Sequence, residues 1–224
     1  MNCCTRYCAA ETQFGNARAA GDLERYRRRG ADRITRMMLA ELRRWPLRGK
    51  KLLDVGGGIG VVGWELAESD LAGTTLVEAS PAFLDAARRK AEDRSAPRLM
   101  NFVLGDFALI ADTLPEADVV TLNRVICCYP DPEGLLRAAA THARQLLVYT
   151  YPRDRWYVRA FTAFDNWRRR RKGNKFRSFV HSPRRMASVL ECSGFVRDST
   201  RGSFVWIVDV CRRKRLPERR SAVE

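Results

Sequence analysis

The feature that most constrains this chain is the run Leu52-Leu53-Asp54-Val55-Gly56-Gly57-Gly58-Ile59-Gly60. A short apolar stretch, Lys51 to Val55, stops abruptly at glycines, and helical spacing begins at Val61 and continues to Ser69. A strand, a glycine-rich turn and a helix in that order bring backbone N–H groups and the positive end of a helix around a ligand. Gly56, Gly58 and Gly60 permit a tight turn and a close approach by that ligand. Alone, such a loop fits a dinucleotide, or is no more than a tight strand-to-helix turn.

The flanking pattern places the loop in a larger architecture. Strands are expected at 74–78, 101–104, 117–122 and 145–150, with helices at 81–95 and 134–144 between them. Ser80 and Pro81 supply the N-cap and first-turn signals of the first of these helices. Strands alternating with helices predict a doubly wound, Rossmann-like α/β sheet, mostly parallel. The alternation then breaks. Residues 155–172 read as an extra helix carrying Trp156, Phe161, Phe164 and Trp167, and Ser182-Pro183 opens another that ends near Gly194. Stretches 195–198 and 203–211, around Arg201-Gly202, predict an antiparallel hairpin that brings the sheet to seven strands. Upstream, Asp22 to Arg44 has helical periodicity, split at Gly30, with Asp32 as N-cap of the second piece. The expected organisation is an N-terminal helical lid (1–48), a main domain (49–211) with a helical insertion near 153–175, and a basic tail (212–224).

Three acidic positions narrow the ligand. Asp54 precedes the glycines, where a negative charge opposes a pyrophosphate but suits a cationic ligand. Glu78 ends the second strand about twenty residues on, where a carboxylate can hold a ribose diol. Asp106-Phe107 follows the third strand, which puts a carboxylate and a ring at the same sheet edge, where open α/β sheets bind ligands. With these, Leu53 to Gly60 resembles the cofactor loop of class I S-adenosylmethionine-dependent methyltransferases. The resemblance spans about 50–150. It implies that Gly56, Gly58 and Gly60 border the methionine part of S-adenosyl-L-methionine. It also implies that Glu78 and the adjoining Ala79 meet the ribose, that Asp106 and Phe107 meet the adenine, and that Asn123 and Arg124 line the transfer site. A dehydrogenase would need a Lys/Tyr or His/Arg set downstream, and none is present.

A second motif is more specific. Arg124-Val125-Ile126-Cys127-Cys128-Tyr129-Pro130-Asp131, with Tyr26-Arg27-Arg28-Arg29-Gly30 and Tyr151-Pro152-Arg153-Asp154, resembles a group of bacterial methyltransferases similar to magnesium-protoporphyrin O-methyltransferase. Cys128 stands where that group has histidine. The departure detaches the tetrapyrrole substrate from the resemblance and removes a proton acceptor.

Methyl transfer is an in-line displacement, so the protein's tasks are alignment and exclusion of water. A carboxylate acceptor is ionised at neutral pH and needs only cationic anchors such as Arg124, Arg153 or Arg155. A phenol or amine usually wants a base. His181 follows the fifth strand and could face the site, although a structural role is the commoner one; His142 lies at the opposite sheet end. Tyr26, Tyr129 and Tyr151 could orient a substrate. The candidate catalytic set is therefore Tyr129, Tyr26, Arg124 and His181. Residues 153–172 read as a substrate lid with an apolar inner and a basic outer face, or as one more packing helix.

Composition limits the partners. A net charge of +15 fits an acidic partner (nucleic acid, an anionic membrane surface, or an anionic small molecule) or simply a solvated basic face. A small-molecule acceptor, acidic or planar, is the leading expectation. A nucleic-acid methyltransferase is the alternative, although Asn123-Arg124-Val125-Ile126 lacks the Pro-Pro-aromatic arrangement of amino-group nucleic-acid enzymes. A non-catalytic cofactor-binding protein is the third reading. Cys3, Cys4 and Cys8 form too weak a pattern to predict a metal. No apolar run approaches a membrane span and the N-terminus lacks a signal-peptide core, so a cytoplasmic location is expected.

Overall fold

The computed structural model describes residues 13–93 and 100–214. Cys3, Cys4 and Cys8, the expected helix end at 94–95 and the tail from 215 lie outside the described residues. Two helices come first, α1 (Asn16–Arg29) and α2 (Arg33–Leu42). The glycine unit follows as β1 (Lys51–Val55) and α3 (Val61–Leu66). Next are β2 (Gly73–Glu78), α4 (Pro81–Asp93), β3 (Met100–Leu104), the short helix α5 (Phe107–Ile110) and β4 (Ala117–Leu122). Then come α6 (Pro132–His142), β5 (Ala143–Pro152), α7 (Trp156–Arg171), α8 (Pro183–Cys192), β6 (Phe195–Gly202) and β7 (Trp206–Arg213).

The seven strands lie in the order β3-β2-β1-β4-β5-β7-β6. β1 pairs in parallel with β2 and β4, β2 with β3, and β4 with β5; β7 runs antiparallel between β5 and β6. This is the expected mixed sheet with its C-terminal hairpin. Strand order reverses between β1 and β4, which opens a crevice at their C-terminal ends. Apolar residues alternate between two faces. Leu52, Leu146 and Val148 pack under α1, α2 and α3, whereas Leu53, Val55, Leu147 and Tyr149 pack under α5, α6 and α8. Burial on both faces is what a run such as Leu52 to Val55 requires.

Several boundaries move. α1 starts at Asn16, because Ala19, Leu23 and Tyr26 give it a buried stripe that is small at its first position. Asp32 caps α2 as expected, accepting from the N–H groups of Ile34 and Thr35 at 3.0 Å each. Asp131 caps α6, so that helix begins before Gly134. The hairpin strands extend to Gly202 and begin at Trp206. α2 is more than a lid: Met38, Leu39 and Leu42 are core residues. Its buried Glu41 accepts from Ser199 Oγ at 2.8 Å and Arg201 Nε at 2.5 Å, which fastens the helix to β6. Among the described residues no helix is long and apolar enough to cross a membrane.

Candidate active site

At the crevice lies a cavity of about 810 Å³, walled by the β1 loop, the ends of β2 and β4, α1 and the segment 175–179. Its size falls within the range of small-molecule and cofactor pockets. The glycine loop forms one wall. Gly56 and Gly58 take φ of +59° and +60°, a conformation that L side chains rarely adopt. Gly57, which the sequence pattern left without a role, is the most confined residue of the loop. A Cβ there would lie 2.2 Å from Leu76 Cδ1 and 2.3 Å from Asp54 Oδ2. Gly60 is not a cavity residue: it starts α3 from a left-handed conformation and abuts the Trp64 indole.

Glu78 is the carboxylate that accepts from the loop's backbone. Its Oε2 accepts from Gly58 N at 2.9 Å and its Oε1 from Ser80 N at 2.8 Å. Burial raises its pKa against the pull of these N–H bonds. A carboxylate has about four lone-pair positions, so acceptor capacity remains for a diol. Asp54 differs from its expected placement. It does not line the cavity but lies fully buried behind Gly57, with Oδ1 accepting from Thr121 Oγ1 at 2.7 Å and Oδ2 without a partner. Burial pushes its pKa up to about 7. An orphaned buried carboxylate oxygen one residue behind the loop is what a positively charged ligand on the other side of that loop would compensate.

At the next strand end Asp106 caps α5, and its Oδ1 accepts from Ala108 N at 3.1 Å and from the Tyr129 hydroxyl. Burial, and then the Asp106 charge, drive the Tyr129 phenol far above its ordinary range. Tyr129 is thus a fixed neutral donor, not a base. Tyr26 lines the cavity with its ring, while its hydroxyl donates to Glu65 Oε1 at 2.9 Å and Lys90 Nζ sits 3.7 Å from the ring centroid. Asn123 Nδ2 donates to Thr35 Oγ1 at 2.9 Å. Arg124, at φ +61°, pairs with Asp32 at 2.8 Å. These two bonds pin the β4 end to the start of α2.

Other sequence candidates are drawn elsewhere. His181 does not reach the cavity; its Nε2 is 2.9 Å from the Tyr129 carbonyl, and burial holds the ring toward its neutral form. His142 is buried between the Ala138 and Ala111 carbonyls. Tyr151 donates to buried Asp209 at 2.9 Å, and Arg153 Nε donates to Ser203 O at 2.6 Å, so both serve the hairpin. The lid reading of 153–172 is also corrected. The aromatic face of α7 points outward, and from this helix only Arg169 lines the cavity.

The cavity is roofed instead by residues that sequence reasoning missed. Phe14 packs edge-on against Phe83 and Phe176, with ring centroids 5.9 and 5.2 Å apart. Asn174 Nδ2 donates to Gln13 Oε1 at 2.9 Å, and Phe179 N donates to Cys127 O at 2.8 Å. Two stretches far apart in sequence thus meet over the crevice. The sole hint in the sequence is the aromatic–basic Lys175-Phe176-Arg177 after the Gly173-Asn174 break. Cys127 and Cys128 also face the cavity, with Sγ atoms 3.9 Å apart. Among the described residues no group of three His, Cys, Asp or Glu side chains could hold a metal.

Residues 53–145 match a family model described as a methyltransferase domain. Solved structures share the fold at low identity. Magnesium protoporphyrin IX methyltransferase from Synechocystis PCC 6803, with bound SAH, superposes with a TM-score of 0.69 at 16% identity, covering 88% of this chain and 96% of that one. An O-methyltransferase family protein from Burkholderia thailandensis gives 0.70 at 16% identity over 92% and 63%. A putative sarcosine dimethylglycine methyltransferase from Galdieria sulphuraria gives 0.64 at 12% over 81% and 86%. No curated protein sequence matches. Residues 53–145 thus match a methyltransferase domain, and the chain as a whole has the fold of S-adenosylmethionine-dependent methyltransferases.

Proposed function

We propose that this enzyme methylates a small acceptor that is already anionic, most simply a carboxylate on a planar or apolar body. The observation that carries this reading is the set of groups facing the cavity. No imidazole lines it among the described residues, and the Tyr26 and Tyr129 hydroxyls are both engaged as donors. Arg18, Arg25, Arg169, Lys175 and Arg177 ring it, and Phe14, Phe83, Phe176 and Phe179 supply apolar wall. Such a site attracts and orients an anion but offers little to deprotonate a phenol.

In this reading Glu78 takes the ribose diol, with Ala79 beside it. Gly56 and Gly58 let the backbone approach, Asp106 offers Oδ2 to the adenine amino group, and Phe107 flanks the ring. Asn123 and Arg124 border the transfer end. When bound, S-adenosylmethionine supplies an electrophilic methyl group on a cationic sulfonium. The Phe14–Phe176 roof keeps water from the crevice, and the rim cations hold the acceptor in line. Residues 49–211 form the catalytic domain, and the helices before it complete one cavity wall.

The test has two parts. Glu78→Ala should weaken S-adenosylmethionine binding by calorimetry roughly tenfold or more, the loss of a charge-assisted pair of bonds. With cell extract and methyl-labelled cofactor, label should enter small carboxylates, at a rate nearly flat from about pH 6 to 9 because their pKa lies near 4. Label in RNA, or a rate that climbs with pH as a phenol or amine acceptor requires, would overturn it.

A further inference from the structure

α7 is amphipathic in the reverse sense. Its inward face carries Val158, Thr162, Asp165, Asn166 and Arg169. The polar members of that face are satisfied locally. Asn166 exchanges hydrogen bonds with the Ser178 backbone, and Asp165 pairs with Arg169 at 2.6 Å. The outward face holds Trp156, Phe161, Phe164 and Trp167, which are 80%, 69%, 59% and 50% exposed. On the 3.6-residue repeat, Trp156, Ala160, Phe164 and Trp167 fall on one stripe, with Phe161 beside it.

The stripe continues onto the β6–β7 turn. Phe204, 75% exposed, stacks on Tyr157 with centroids 4.6 Å apart, and the Tyr157 hydroxyl donates to Phe204 O at 2.7 Å. Phe164 and Trp167 stack at 5.7 Å, with the Arg171 guanidinium 4.6 Å from the Trp167 ring centroid. Large aromatic rings contiguous across two elements and open to solvent are uncommon on a monomer and mark a contact surface. Cations surround them. Residues 153–172 carry eight Arg or Lys against two Asp, and both acids are already paired, Asp154 with Arg159 and Asp165 with Arg168 and Arg169.

We infer that this face docks on an anionic lipid surface, with the rings of α7 and Phe204 in the headgroup–acyl boundary and the arginines on lipid phosphates. Charge selects this occupant. A second copy meeting the same face would set the exposed Arg155, Arg159, Arg168, Arg170, Arg171 and Lys172 against the same cations, with no unpaired acid in the segment to receive them. A single-stranded nucleic acid is gripped in a groove that tracks its backbone, whereas these rings project from a convex helix. Outward Trp and Phe flanked by Arg on a helix lying along the surface match an interfacial helix. The fold holds the helix by its polar side, so no refolding is needed to present the rings.

The experiment is co-sedimentation of the full chain with vesicles of phosphatidylcholine alone and of an equal mixture with phosphatidylglycerol. Trp fluorescence is read in parallel. The expected result is binding to the mixed vesicles with a blue-shifted emission, roughly tenfold tighter than to neutral ones. A triple variant, Trp156→Ser, Trp167→Ser and Phe204→Ser, should lower that binding about tenfold while its melting temperature and S-adenosylmethionine affinity stay unchanged. Failure to bind anionic vesicles, or binding that survives the triple variant, would overturn the inference. So would a wild-type dimer in sedimentation equilibrium that the variant dissociates, or tighter binding to a single-stranded RNA oligonucleotide lost in that variant.

Discussion

Replacing Asp54 with Asn tests the most unusual electrostatic feature of the fold. Asp54 is fully buried, one oxygen is unpartnered, and burial, with Glu78 nearby, pushes its pKa up to about 7. An unfolded-chain aspartate ionises near pH 4. Between about pH 4 and 7 the folded chain therefore holds a proton that the unfolded chain has released. Stability falls as pH rises through that window and is flat above it. Three pH units at ~1.4 kcal/mol each make the ionised carboxylate cost about 4 kcal/mol at pH 8. Asn removes the charge and keeps an oxygen for Thr121, but it leaves a buried N–H₂ donor costing ~1–3 kcal/mol. The variant should therefore gain about 2 kcal/mol at pH 8, a rise of roughly 5 °C in Tm for a chain of this size. Near pH 5, where Asp54 is already neutral, the gain should vanish. Thermal melts of both proteins in matched buffers read the difference directly, and other titrating groups cancel. A Tm difference that is equal at the two pH values, or negative at the higher one, would refute the argument. If the buried charge is kept for a cationic ligand, S-adenosylmethionine should raise the Tm of the variant less than that of the native chain.

Two further outcomes follow from the same structure. In a glycine-to-alanine series, Gly57→Ala should cost about 3 kcal/mol, because Leu76 and Asp54 are wholly buried and cannot yield. Gly21→Ala, in open space on α1, should stabilise by roughly 0.7 kcal/mol; chemical denaturation of both variants checks the ranking. Glu41→Gln should destabilise by about 2 kcal/mol by loosening Arg201 and Ser199 on β6. Burial raises the Glu41 pKa, but the bonds from Ser199 and Arg201 and the nearby guanidinium charges outweigh it and leave it lowered. Its contribution is thus present above the ordinary glutamate value and lost as pH falls through the lower folded one; melts of the variant should be less sensitive to acid over that range.

The sheet and the strand-end residues were legible in the sequence because their signals are local. An apolar run ending in glycines, an acid at the next strand end and a Ser-Pro helix start each declare themselves within a few residues. Glu78, Asp106, Tyr129 and Arg124 duly come to one crevice. What was not legible depends on which way a face turns. The spacing of Trp156, Phe164 and Trp167 shows that they share a side of α7, but periodicity carries no sign, and the inference that apolar means inward failed there. His181 lies near the site in chain order, yet one hydrogen bond to a carbonyl turns it away. The Phe14–Phe176 roof joins residues 162 positions apart, a separation no window of local pattern can span.

The placement of β7 between β5 and β6 has a consequence for biosynthesis. When β5 leaves the ribosome, its far edge has no strand to pair with, and that edge stays open while α7, the segment after it, α8 and β6 are made. β6 itself cannot join the sheet until β7 arrives to separate it from β5. The anchor from Glu41 to Arg201 waits for the same event, so α2, made near the start, gains its last partner near the end. Non-local pairing of this kind slows folding and leaves an unpaired edge exposed meanwhile. A chain released after α8 would carry every residue proposed to hold the cofactor, and an uncapped sheet edge prone to recruit another copy.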